Sequence, residues 1–134
     1  GPSFYPADPF AKAKIRELIT YLELYIELPA RRLYGEVFFG KPASEEEKEA
    51  VRKQLEKGFA SLRRIAKYSP FIAGKELTYA DMYFYFSVSL ATRVTKKALN
   101  WDTFSTEPGI RELMNLLGER PSVKKIQADQ QASR

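Results

Sequence analysis

"GKELTYADMYFYF", residues 74–86, decides the fold. It joins a helix start to a nearly unbroken aromatic run: Tyr79, Tyr83, Phe84, Tyr85 and Phe86. Thr78 stands at the N-cap and Asp81 at N3. Each side chain can therefore accept from a backbone N–H that the first helical turn leaves without a partner. The residues that follow, Met82 to Ala91, are apolar on every side, and a helix of that kind belongs in the middle of a bundle. The tyrosine hydroxyls then need partners or a route to water, so one side of this helix is expected to line a cleft or an interface.

Outward from that stretch, every periodic segment reads as helix, and no two-residue alternation lasts long enough for a strand. Asp8-Pro9 opens the first helix, with an acceptor at the N-cap and a proline whose missing N–H is no loss at N1. Ile15, Leu18, Ile19, Leu22 and Ile26 form its core stripe, and Tyr21, Leu24, Tyr25 and Leu28 form a second apolar strip beside it. Pro29 is expected to kink or end this helix, and "ARRLYGEVFFG" to extend it until Gly35 to Gly40 loosen the chain. Ser44 and Glu47 form a second capping box, ahead of a stripe of Val51, Leu55, Phe59, Leu62 and Ile65. Ser69-Pro70 stops that helix. After Trp101 come two short helices. The first carries Ile110, Leu113, Met114 and Leu117 and ends with Gly118 at C′; the second starts at Pro121, with Val123 and Ile126 inward. The pattern predicts an all-α bundle of five to six helices around a buried central helix starting at Thr78. The helical domain spans 8–127, with a linker or tag remnant over 1–7 and a frayed polar tail over 128–134.

Composition bounds the chemistry. At 134 residues, 44% hydrophobic and 29% charged, the chain reads as one folded domain. Its apolar runs are far short of the ~20 residues that span a bilayer. The start, "GPSFYPADPF", lacks the basic and apolar regions of a secretory signal. Gly1-Pro2 reads as the scar of a cleaved tag and "PSFYP" as a linker, so the chain is expected to be a piece of a longer one. It has no cysteine and no histidine, which excludes disulfides, Cys/His zinc sites, Ser-His triads and Cys-His dyads within these residues. The net charge is +5 with a pI near 9.4, yet acidic and basic residues are mixed. Arg31-Arg32, Arg63-Arg64 and Lys96-Lys97 are isolated pairs rather than a basic face, so neither nucleic acid nor membrane is expected as a partner.

Three ordered motifs carry a resemblance. "FIAGKELTYADMYFY" resembles the "flxGxxxTxADxxly" pattern of glutathione transferases, with Phe71, Gly74, Thr78, Ala80 and Asp81 at the same spacing. "ERPSVKKI" is similar to that family's "RPxVkk" segment, and "YPADPFAKAKIREL" to the linker into the first helix of its C-terminal domain, especially in bacterial members. The similarity covers roughly residues 4–127. It implies the helical half of a two-domain cytoplasmic enzyme whose absent thioredoxin-like N-terminal domain binds glutathione as co-substrate and supplies the thiolate-stabilising residue. It implies no catalytic residue and no metal ligand in this chain, with Thr78 and Asp81 as structural caps. The expected contribution is a hydrophobic cleft for an electrophilic small molecule, with Tyr21, Tyr25, Leu28 and Arg32 as its candidates. A packed domain or dimer interface is the alternative role for the two tyrosines. A homodimer, and inactivity of these residues alone, are further expectations. The rival reading is a non-catalytic protein–protein interaction module, because the same helical domain also serves as an assembly platform.

Overall fold

Pro29 does not end the first helix. In the computed structural model, which describes residues 4–132, α1 (Pro9–Leu22) passes into a π-helical turn (Glu23–Glu27) and on into α2 (Leu28–Arg31). The expected interruption takes the form of a widened turn. Proline has no N–H to offer the Tyr25 carbonyl, and in a regular ladder its ring would clash with that carbonyl. The π turn, in which the Leu28 N–H reaches back to the Glu23 carbonyl, relieves the conflict. The freed Tyr25 carbonyl lies against Gly58 of α4 (Glu45–Ile65), where a Cβ would stand only 2.3 Å from its oxygen. Gly58 is thus the residue that lets the two helices close.

Between these helices, α3 (Tyr34–Phe39) follows a two-residue turn at Arg32 and Leu33, includes Gly35 and ends at Gly40. Ser44 caps α4 by accepting from the Glu47 N–H at 3.0 Å. One face of α4 buries Val51, Leu55, Phe59 and Leu62.

The central rod is α5 (Tyr79–Leu99), which touches α1, the π turn, α2, α3 and α4. It buries residues all around its axis, among them Ala80, Met82, Phe84, Tyr85, Val88, Ala91 and Val94. Its start is tied to the preceding loop by Asp81, which is 0% exposed. One carboxylate oxygen accepts from the Thr78 N–H at 2.9 Å, the other from the Ile72 N–H at 2.8 Å. The Thr78 hydroxyl accepts in turn from the Ala80 N–H at 3.2 Å. Burial raises the Asp81 pKa, against the pull of these donors and of the Arg120 charge. At the other end, Arg52 donates to the Leu99 carbonyl and stacks 5.4 Å from the Trp101 ring centroid. That places a cation at the negative end of the helix dipole.

The remaining helices are α6 (Thr103–Thr106), α7 (Ile110–Gly118) and α8 (Pro121–Ala132). Helix α7 starts after Gly109, whose φ is +85° and where a Cβ would stand 2.7 Å from the Tyr68 ring. It retains Gly118 as its last residue, where the sequence reading had put the glycine just beyond the end. Helix α8 reaches Ala132, so the polar tail expected to fray from 128 is helical that far. The Ile126 side chain, Gly1 to Ser3, Ser133 and Arg134 lie outside the described residues. Among the described residues there is no strand: the fold is an all-α bundle around a buried α5. The one-turn helices around Pro29 and after Trp101 account for the extra segments.

Candidate functional site

One side of α5 is not covered by the bundle. Tyr79, Met82, Tyr83, Phe86 and Leu90 recur there at helical spacing and face Ile19 and Glu27 across a groove of about 650 Å³. Ile19 was read as part of the core stripe; it is half-buried and lines this opening. The amino-terminal segment forms one end. Phe4 accepts from the Tyr79 N–H at 3.2 Å, and the Tyr5 ring lies 4.8 Å from the Tyr79 ring.

The groove has a polar edge. Glu27 receives the Tyr83 hydroxyl on one carboxylate oxygen and Arg31 Nη2 on the other, at 2.6 Å. Desolvation, reinforced by the hydrogen bond to Glu27, pushes the Tyr83 pKa up to about 12. Burial and the same carboxylate raise Tyr34. Both phenols therefore stay protonated at neutral pH, and Tyr83 acts as a donor held in place rather than as a base. Among the described residues Glu27 is the one charged residue lining the groove, and the arrangement is suited to bind and orient an uncharged body.

The four residues marked from the sequence are not gathered around this groove. Tyr21 and Tyr25, with rings 4.7 Å apart, line a smaller hollow, of about 410 Å³, together with Arg16, Thr20 and Leu24. The Tyr21 hydroxyl donates to the Gly58 carbonyl at 2.9 Å. Tyr25 is 50% exposed and Leu28 38%. Arg32 is engaged by Glu47 at 3.2 Å and by Gln54 at 2.8 Å. Of the residues that line the groove, sequence reasoning placed Ile19 and Leu90 among the packed apolar residues and did not single out Tyr5, Glu27 or Ser87. An acid four residues before Arg31, at i,i+4 spacing, was the available signal for Glu27. Among the described residues no cluster of three or more His, Cys, Asp or Glu is placed to hold a metal ion, and no helix is long and apolar enough to cross a membrane.

The family profile described as "Glutathione S-transferase, C-terminal domain" matches residues 30–130. The chain belongs to the glutathione S-transferase family. A glutathione S-transferase of Pseudomonas putida is 47% identical over 133 residues, which are 99% of this chain and 60% of that protein. Glutathione S-transferase U17 of Arabidopsis thaliana is 37% identical over 86 residues, 61% of this chain and 35% of its own length. The chain thus spans about three fifths of the first relative and about a third of the second. Within the glutathione S-transferase C-terminal domain, the Thr78–Asp81 box has a plain physical task. It joins the loop at Ile72 to the first turn of α5, and so sets where the groove residues of that helix stand.

Proposed function

We propose that this chain is the electrophile-binding half of a glutathione S-transferase, completed by a thioredoxin-like N-terminal domain that holds glutathione and activates its thiol. The observation that supports this most is the character of the α1–α5 groove. Its apolar walls are Ile19, Met82, Phe86 and Leu90, and among the described residues its one charged lining residue, Glu27, is held by Arg31. Glu27 is already paired with Arg31, so the groove offers no free cation to an anion such as glutathione, whereas its apolar walls suit an apolar electrophile. In the reaction, the glutathione sulfur forms a bond to the electrophilic carbon, and the leaving group departs with its electron pair. The part of this chain is to bind the apolar body and hold it near the sulfur. Burial contributes roughly 25 cal/mol per Å² of apolar surface, and the fixed Tyr83 hydroxyl offers a polar reference point at the edge.

The resulting protein is a cytoplasmic, detoxifying homodimer in this reading. Tyr21, Tyr25, Leu28 and Arg32 enter it as a second surface. A Tyr25→Ala change that alters KM for the electrophile assigns that surface to the cleft; one that alters sedimentation assigns it to the dimer contact. The central test is an assay with glutathione and an activated aryl chloride. No turnover is expected from the 134 residues alone, and turnover is expected when they are joined to a thioredoxin-like domain. Robust turnover from the isolated chain would overturn the division of labour.

A further inference from the structure

The other side of α5 carries a second cavity, of about 600 Å³, which shares no lining residue with the α1–α5 groove. Its charge has the opposite sign. Arg93, Lys96 and Lys97 line it from positions i, i+3 and i+4 of the helix, a spacing that sends side chains off one face. Among the described residues no carboxylate lies within ion-pair reach of any of the three. Arg93 reaches the Phe38 ring at 6.0 Å, and Lys97 the Val37 carbonyl at 3.4 Å; neither contact neutralises a charge. On α7, Glu112 lines a separate hollow with Tyr68 and Pro70. Tyr85, Phe104 and Met114 give the cavity an apolar wall.

Helix termination explains these cations only in part. Lys96 and Lys97 sit in the last turn of α5, where a cation complements the dipole. Arg93 lies before that turn, and Arg52 already donates to the Leu99 carbonyl. A solvated charged face would account for cations on a convex surface, whereas these border a concavity with an aromatic wall.

We propose that this cavity binds a small organic phosphate bearing a flat ring, of the nucleotide class, with its phosphates on Arg93, Lys96 and Lys97 and its ring against Phe104 and Met114. Three unneutralised cations on one rim match a diphosphate better than a single carboxylate. The guanidinium can take two phosphate oxygens at once while the lysines act as point charges. The volume falls within the range of small-molecule sites, about 300–1,000 Å³. A bare phosphate would use the cations and leave the apolar wall idle. The inference is independent of the transferase reading, because none of its residues lines the α1–α5 groove.

Titration calorimetry of the full chain at low salt tests it, with ADP as the probe and pyrophosphate and adenosine as the separate halves. Saturable ADP binding is expected, with each half weaker by about tenfold or more and the ADP affinity falling as salt screens the charges. The triple variant R93Q/K96Q/K97Q, altered only at exposed side chains, should remain folded, with its melting temperature lowered by only a few degrees through the lost dipole complement, and lose ADP binding by at least about tenfold. Phe104→Ala should weaken ADP but not pyrophosphate; Phe104→Leu serves if the alanine variant fails to fold. Amide shifts on adding ADP should cluster at Ser89 to Lys97 and Phe104 to Asn115. The proposal is overturned if ADP does not saturate at millimolar concentration, if pyrophosphate binds as tightly as ADP, or if the shifts cluster at Tyr83, Phe86 and Leu90.

Discussion

Asp81 carries more than one helix cap. Its two oxygens accept from Thr78 and from Ile72, so truncation would strand two buried N–H groups at once. Asp81→Ala should therefore cost about 3 kcal/mol, the sum of the desolvation penalties of buried donors left unpaired, whereas Thr78→Ala should cost about 1 kcal/mol. Urea midpoints of the two variants measure the difference, and equal values would mean that Asp81 acts as an ordinary cap. Glu107 is the contrasting acid. It is buried, and Arg63 Nε stands 3.1 Å from an oxygen that nonetheless lacks an aligned hydrogen bond. Burial raises its pKa more than Arg63 lowers it. A carboxyl whose folded pKa lies above its unfolded value loses stability as pH rises through that window. Glu107→Gln should accordingly be more stable than the parent at neutral pH. The gap should close as pH falls below the ordinary carboxylate value, and melting curves across pH would show the trend or refute it.

At the scale of the element, the α1–α4 crossing is a negotiation between one proline and one glycine. Pro29 removes the donor from the Tyr25 carbonyl, the π turn releases that carbonyl, and Gly58 leaves room for it. A Cβ 2.3 Å from a backbone oxygen cannot be relieved by turning a side chain. Gly58→Ala should thus destabilise by about 3 kcal/mol, the upper end of ordinary overpacking. Gly35 offers the control. It is helical, and its nearest contact for an added Cβ is an ordinary 3.6 Å. Gly35→Ala should stabilise by about 0.5 kcal/mol, because it restricts the unfolded chain without strain. Thermal melts of the pair would separate close approach from backbone freedom, and matched effects of one sign would discredit the account.

For the whole molecule, the bundle spends α5 on two different surfaces. One flank meets Ile19 and Glu27 across the apolar groove; the other presents Arg93, Lys96 and Lys97. Under the proposed function, a change on the first flank should act on electrophile binding and not on the fold. Leu90 is half-buried at the groove wall. If the proposed transferase reading holds, Leu90→Glu in the chain joined to a thioredoxin-like domain should raise KM for an aryl chloride about tenfold, the effect of losing one apolar contact and adding a charge. KM for glutathione should be nearly unchanged. A parallel rise in both constants would place Leu90 at the domain contact instead of the electrophile cleft.

How much of this was readable before the fold follows from the range of the forces involved. Capping boxes, proline positions and helical stripes are local, so the bundle, the buried α5 and the Thr78–Asp81 cap could be read from residues a few positions apart. The aromatic run also indicated that one side of α5 would line a cleft or an interface. What covers each side is set by residues far apart in the chain. Tyr83 finds Glu27 and Tyr25 finds Gly58 only when three helices pack. For that reason Tyr21, Tyr25, Leu28 and Arg32 looked like one strip along the sequence, yet Arg32 is drawn to Glu47 and Gln54, while the larger groove opens along Ile19 and Glu27. Periodicity determined which residues share a helix face; only the packing of one helix on another decided which face would be left as a cleft.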